Sequence, residues 1–139
     1  MPTFPTDPWA QDFIAEINGS AEYADSGAGW VGDVAIVIEA EPDRGVPQNV
    51  WVLLELLDGA CHGGGVVDEE RGARAPFVIR ASYSRWKDVI RGDLDPIKAM
   101  MQGKLKVHGD LPAIIRYARA TNELARLTQL VDTVFPDEG

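Results

Sequence analysis

Hydrophobic positions recur at two periods along this chain, and the places where the period changes mark its elements. Trp9, Phe13, Ile17 and Ala24 fall near helical spacing, and Asp7-Pro8 supplies an N-cap with proline in the first turn, so a helix is predicted over residues 8–24. Ser26-Gly27-Ala28-Gly29 stops it. Val34-Ala35-Ile36-Val37-Ile38-Glu39 and residues 50–57 read as β-strands, with a turn at Pro42-Asp43-Arg44-Gly45 between them. A glycine-rich turn over residues 58–64 then returns the chain into a short third strand at Gly65-Val66-Val67-Asp68, completing a meander. Residues 77–81 alternate as a fourth strand, with Phe77, Ile79 and Ala81 on one face and Val78 and Arg80 on the other. From Tyr83 the period becomes helical, joining Trp86, Val89 and Ile90 on one side until Gly92. Asp95-Pro96 restarts a helix carrying Ile97, Met100 and Met101, and residues 104–108 alternate as a fifth strand with Leu105 and Val107 inward. Asp110 caps a long last helix whose apolar stripe is Ile114, Tyr117, Thr121, Leu124, Leu127 and Val131. The fold class predicted is α+β.

Composition narrows what such a fold can do. With 139 residues, 45% of them hydrophobic and 25% charged, the chain has the proportions of one globular domain. No apolar run is long enough to span a bilayer, and neither end carries a targeting pattern, so a cytoplasmic location without integral membrane association is the expectation. A net charge of −9 opposes broad contact with nucleic-acid phosphates. The charge is uneven: residues 71–106 hold nine Lys and Arg against three Asp, a basic island that is either a solvated face or a surface steering the protein towards an anionic membrane or carrier. One cysteine, Cys61, forms no internal disulfide and leaves no pair for a zinc ribbon. No metal and no cofactor is expected.

Candidate chemistry is sparse. Gly27-Ala28-Gly29-Trp30-Val31-Gly32 spells the dinucleotide-binding fingerprint, but it follows a helix and precedes a strand, the reverse of the order that aims a helix N-terminus at a pyrophosphate. Cys61 and His62 are adjacent in a predicted turn, where side chains rarely converge. His108 and Asp110 share a direction at a strand end and form a candidate general base on an acyl substrate, yet no nucleophile or oxyanion turn accompanies them and Asp110 is also a helix cap. No catalytic residue is assigned, and the chain is read as a non-enzyme.

The informative segment is residues 86–110. It holds an aromatic-led helix ending at Gly92, Asp95 before Pro96, the helix end Ala99-Met100-Met101-Gln102-Gly103, then Lys104-Leu105-Lys106 and Gly109-Asp110. This arrangement resembles the sterol carrier protein 2 family. The resemblance implies a five-stranded, mainly antiparallel sheet with helices on one face and an apolar tunnel between them, used to store or transfer a fatty acid, an acyl chain or a sterol-like lipid. Carried onto this chain, it places Trp86 and Ile90 at the tunnel border, Ala99, Met100, Met101 and Gln102 on its floor, and Leu105 and Val107 on the inward side of the last strand. Alternation adds Phe77 and Ile79, and the helical stripes add Ile97 and Ile114. Paired methionines suit an adaptable apolar lining, and Gln102 is the expected contact for a ligand's polar end. Two features leave alternatives open. The segment from about residue 111 extends past the signature and is expected to plug or gate the tunnel or to support a homodimer. Trp51 and Leu53 are apolar on the face opposite Val52 and Leu54, so the competing reading is an interaction module that binds a partner enzyme through its sheet.

Overall fold

Strand side chains sort onto two faces, and the sheet forms where both faces find cover. The computed structural model describes residues 1–138. Its strands β1 (Val34–Glu39), β2 (Val50–Leu57), β3 (Ala60–Val67), β4 (Phe77–Ser82) and β5 (Lys106–His108) make one sheet in the order β3-β2-β1-β4-β5. β1 with β2, β2 with β3 and β4 with β5 are antiparallel, and β1 runs parallel to β4. Val34, Ile36 and Ile38 pair with Phe77, Ile79 and Ala81 across that parallel junction and with Leu54, Val52 and Val50 on the other side, which puts them all on the inner face. Against this face lie α1 (Asp7–Asn18), α2 (Ala21–Ser26), α4 (Tyr83–Ile90), α5 (Pro96–Met101), α6 (Leu111–Arg116) and α7 (Ala118–Thr128). Among the described residues the outer face carries only α3 (Glu69–Gly72) and the chain that follows it.

The exposed edge of the sheet is sealed by polar side chains of α1. Asp7, Gln11 and Asn18 are spaced to share one stripe of the helix. Asp7 Oδ1 accepts from Val66 N at 2.9 Å and Gln11 Nε2 donates to Gly64 O at 3.1 Å. Asn18 does more: its amide donates to Cys61 O and accepts from Cys61 N, both at 2.8 Å, as a neighbouring strand would. Sealing an edge this way removes a template for pairing with other chains. Asn18→Ala is expected to cost about 1–3 kcal/mol, since it orphans both backbone groups of a buried residue. Urea unfolding should show the midpoint falling with its slope unchanged; an unshifted midpoint would mean that these groups find other partners.

Several element boundaries depart from expectation. The predicted first helix is two, because Gly19 ends α1 and Ser20 caps α2, its hydroxyl accepting from Tyr23 N at 2.9 Å. The predicted glycine-rich turn is only Asp58-Gly59. Residues 60–67 are strand, and the register slips between Leu54 and Leu56 opposite them. Gly64 sits there at φ +126°, pressed so close to the Leu53 carbonyl that no side chain fits. The predicted last helix breaks at Tyr117 (φ −102°, ψ 34°), whose ring meets Trp30 edge-on at 5.2 Å.

The C-terminal segment returns to the N-terminus. Val134 bridges Thr3, with Phe4 N donating to Val134 O at 3.0 Å and Val134 N to Pro2 O at 2.9 Å. Phe135 then packs edge-on against Phe4, with ring centroids 6.4 Å apart.

The outer face needs no partner. Trp51 and Leu53 are 7% and 4% exposed, enclosed with Ala35, Val37, Ala75 and Val78. Gly72 approaches the Trp51 indole so closely that a Cβ would strike it, and the Arg80 guanidinium lies 5.5 Å from the ring centroid. The apolar sheet face offered above as a docking surface is therefore covered by the chain itself, which disfavours the interaction-module reading.

Candidate functional site

Helices laid across the inner face leave two apolar cavities. The larger, about 80 Å³, has the sheet as its floor, with Val34, Ile36, Ile38, Val52, Leu54 and Ile79 contributed by three strands. Phe4, Trp9 and Phe13 close one end. Trp86, Val89 and Ile90 of α4, and Pro96 and Met100 of α5 with Leu105, form the sides. α7 is the roof, through Thr121, Leu124, Ala125 and Thr128. The second cavity, about 50 Å³, lies towards α2 and α6, among Tyr23, Trp30, Leu56, Ile114, Tyr117 and Ala120. Val34, Ile79, Thr121 and Leu124 line both, so only side chains separate them.

Every polar handle in these walls for which a partner is identified is turned away into the protein. Trp86 Nε1 donates to Val37 O at 2.8 Å, Trp9 Nε1 to Thr133 Oγ1 at 2.9 Å, Thr121 Oγ1 to Tyr117 O at 3.2 Å and Thr128 Oγ1 to Ala125 O at 2.6 Å. Among the described residues no charged side chain lines either cavity. Burial, assisted by nearby Cys61, pushes the Tyr23 phenol up to about 12, and burial likewise raises the Cys61 thiol, so both are neutral at ordinary pH. Such a space accepts an apolar body and offers no anchor to a charged group.

The residues singled out from sequence divide into three groups. Ile79, Trp86, Ile90, Met100 and Leu105 meet at the larger cavity, and Ile114 lines the smaller one with Ile79. Phe77 is buried but packs tilted against Trp30, with ring centroids 4.8 Å apart, while Ile97 and Val107 are half-buried against the core; none of the three lines either cavity. Met101 and Gln102 point elsewhere: Met101 is 67% exposed, and Gln102 ends α5 exposed to solvent. α5 is a six-residue helix, and a 100° step turns its two methionines to different sides, Met100 inward and Met101 outward. Phe4, Trp9, Phe13 and the α7 roof were not among the expected ligand contacts. Leu124 and Thr121 were visible as a stripe, whereas Phe4 precedes any periodic element and carries no such signal.

Asp110 Oδ1 accepts from Ala113 N at 3.2 Å as the cap of α6. Cys61 is buried in β3 while His62, the next residue, is exposed. No group of three or more His, Cys, Asp or Glu suited to a metal ion occurs among the described residues, and no described helix is long and apolar enough to cross a membrane.

Residues 19–121 match the SCP-2 sterol transfer family. A crystal structure of sterol carrier protein 2 is 36% identical and superposes with a TM-score of 0.84, covering 91% of this chain and 97% of that one. A Thermus thermophilus protein, described as possibly a sterol carrier protein, is 35% identical, with a TM-score of 0.83 and coverage of 93% and 90%. An Aedes aegypti sterol carrier protein 2, solved in complex with a C16 fatty acid, shares the fold at 15% identity and a TM-score of 0.50, covering 86% of this chain and 96% of that one. No curated protein matches the chain.

Proposed function

Because the chain belongs to the SCP-2 sterol transfer family, we propose that it binds one lipid chain between sheet and helices and releases it unchanged. The observation that carries this reading is the neutral double cavity, in whose walls Trp86 Nε1 and Thr121 Oγ1 are bonded within the protein. Two small spaces in series, joined at Val34, Ile79, Thr121 and Leu124, suit a flexible acyl chain better than a rigid sterol nucleus. The fatty acid held by the Aedes aegypti protein is a ligand of that kind.

At about 80 and about 50 Å³ the cavities are small. An apolar cavity of about 150 Å³ takes up only a benzene-sized molecule, so a fatty-acyl chain enters only if a wall moves. The roof is the wall most able to give. α7 is tied down by Arg119 to Glu22 and Asp25, pairs in which every side chain is more than 40% exposed, and exposed pairs contribute about 0–1 kcal/mol each. Its stronger anchor is Glu123, 5% exposed, which accepts from Ser20 Oγ at 2.6 Å while its pair with Arg126 stays within the helix. Burying the roughly 14 methylenes of a C16 chain yields roughly 11 kcal/mol at about 0.8 kcal/mol each. Association costs of at least about 4 kcal/mol, and the work of parting the roof, leave micromolar or weaker affinity. Exchangeable binding of that order suits a carrier.

Titration with a fluorescent fatty acid should give saturable one-to-one binding that palmitate displaces; a flat titration would refute the proposal. Met101→Ser and Gln102→Ala should each leave the affinity within about twofold and stability within about 0.5 kcal/mol, as solvent-facing substitutions do. A tenfold loss in the Gln102 variant would instead bring that side chain into the site.

A further inference from the structure

On the outer face of the sheet, remote from both cavities, β4 and β5 set two cations directly opposite each other. Arg80 pairs with Lys106 in the register that pairs Val78 with His108. Such partners share a face with Cβ atoms about 4.5–5.5 Å apart, and like charges there destabilise a sheet. β5, which carries Lys106, is a three-residue edge strand and adds little ladder to offset it. Arg80 is nonetheless held in place over the Trp51 ring. Glu39 approaches its Nε only to 3.6 Å, too far for a hydrogen bond, and Nε is buried without a partner. Lys106 is exposed and forms no ion pair among the described residues. A groove of about 380 Å³ lies between these groups, with Arg80, Lys106 and His108 on its walls and Trp51, Ala73 and Val78 beneath.

We infer that this groove is an anion site, and that the anion is a phosphate group. A phosphate carries up to two negative charges and several acceptor oxygens pointing in different directions, so it can meet a guanidinium and an ammonium from adjacent strands at once. A carboxylate, planar and singly charged, leaves one of the opposed cations uncompensated beside Glu39. His108 lies two residues along β5 from Lys106, about 7 Å away, where a ring N–H reaches the far side of the same group. The apolar floor of Trp51 and Val78 keeps water from one side of the Arg80 guanidinium. In a chain of net charge −9 the long-range field repels anions, so binding here depends on the local array. The phosphate is either free or the headgroup of a lipid.

The test follows the ¹⁵N-labelled full chain during titration with inorganic phosphate at constant ionic strength. Saturable shifts are expected at Arg80 Nε–H and at the amides of Lys106 and His108, weakened at least about fivefold in Lys106→Thr by loss of one charge-assisted contact. The same substitution should raise Tm in phosphate-free buffer, because it relieves the opposed charges, and remove the rise in Tm that phosphate gives the wild type; Lys98→Ala should do neither. Vesicles of phosphatidylcholine with and without phosphatidic acid separate the two sources. Retention on the acidic vesicles that Lys106→Thr abolishes assigns a headgroup, and saturation by free phosphate without retention assigns a small anion. Shifts that spread equally to Arg85, Lys98 and Arg116 without saturating, binding unchanged in Lys106→Thr, or no response in either arm would overturn the inference.

Discussion

Leu124→Trp is expected to lower affinity for a fluorescent fatty acid at least tenfold while leaving the fold intact. Leu124 is half-buried in the α7 roof and lines both cavities, so an indole at that position projects into the passage between them. Tenfold corresponds to about 1.4 kcal/mol, within the cost of overfilling a packed apolar space. The companion substitution Leu124→Ala separates occupancy from architecture. It should destabilise the protein by about 2 kcal/mol, the low end for a leucine deletion because the site is partly open, yet keep or improve binding by enlarging the space. Equal loss of binding in both variants would make Leu124 a structural residue only.

Asp137→Ala should lower stability by about 2–3 kcal/mol, seen as a fall in Tm of about 8–12 °C. Its carboxylate accepts from the Tyr83 hydroxyl at 2.7 Å, from Lys87 Nζ at 3.0 Å and from Arg44 Nη1 at 3.1 Å. Tyr83 is fully buried and Lys87 is 12% exposed, so removing their common acceptor strands a phenol and leaves the ammonium with Glu138 alone. The pH dependence follows from the same contacts. Burial alone would raise the Asp137 carboxyl, but the hydrogen bonds from Tyr83, Lys87 and Arg44 and the charge of Lys87 hold it at about 2, against 3.8 for the free group. A depressed acid stabilises the fold fully above its unfolded value and loses that contribution as pH falls through the folded one. The contribution, about 1–2 kcal/mol after solvent screening, is thus present above about pH 5 and fades between pH 4 and 2. Wild type and Asp137→Ala should converge over that window in acid unfolding followed by circular dichroism; a constant gap would place the effect elsewhere. Glu41, whose hydrogen bonds from Ser84 outweigh its burial, weakens the wild type in the same range. The latch also bears on the site, because it holds Phe135 against Phe4, an end wall of the larger cavity.

What could be read beforehand was whatever repeats. Alternation placed Phe77, Ile79 and Ala81 inward, and the spaced elements of residues 86–110 brought Trp86, Ile90, Met100 and Leu105 to the larger cavity. Phase was harder than period. In a helix as short as α5, consecutive methionines give no clue to which faces in, and Met101 faces solvent. Polar residues misled in another way: Asp7, Gln11 and Asn18 look like a hydrated helix face, yet they close the sheet edge, a role fixed only when β3 comes alongside. The apolar outer side of β2 looked like a surface awaiting a partner. Its cover is the chain around Gly72, which works because that residue has no side chain to hold the backbone off Trp51.

A lipid chain held in the cavity should be visible as bound mass. Native mass spectrometry of the purified full chain, after incubation with palmitate and with cholesterol in parallel, measures this most directly. The predicted spectrum shows one palmitate per chain, lost in Leu124→Trp and retained in Leu124→Ala. A spectrum of unliganded chain under both conditions, from protein whose circular dichroism confirms the fold, would contradict it.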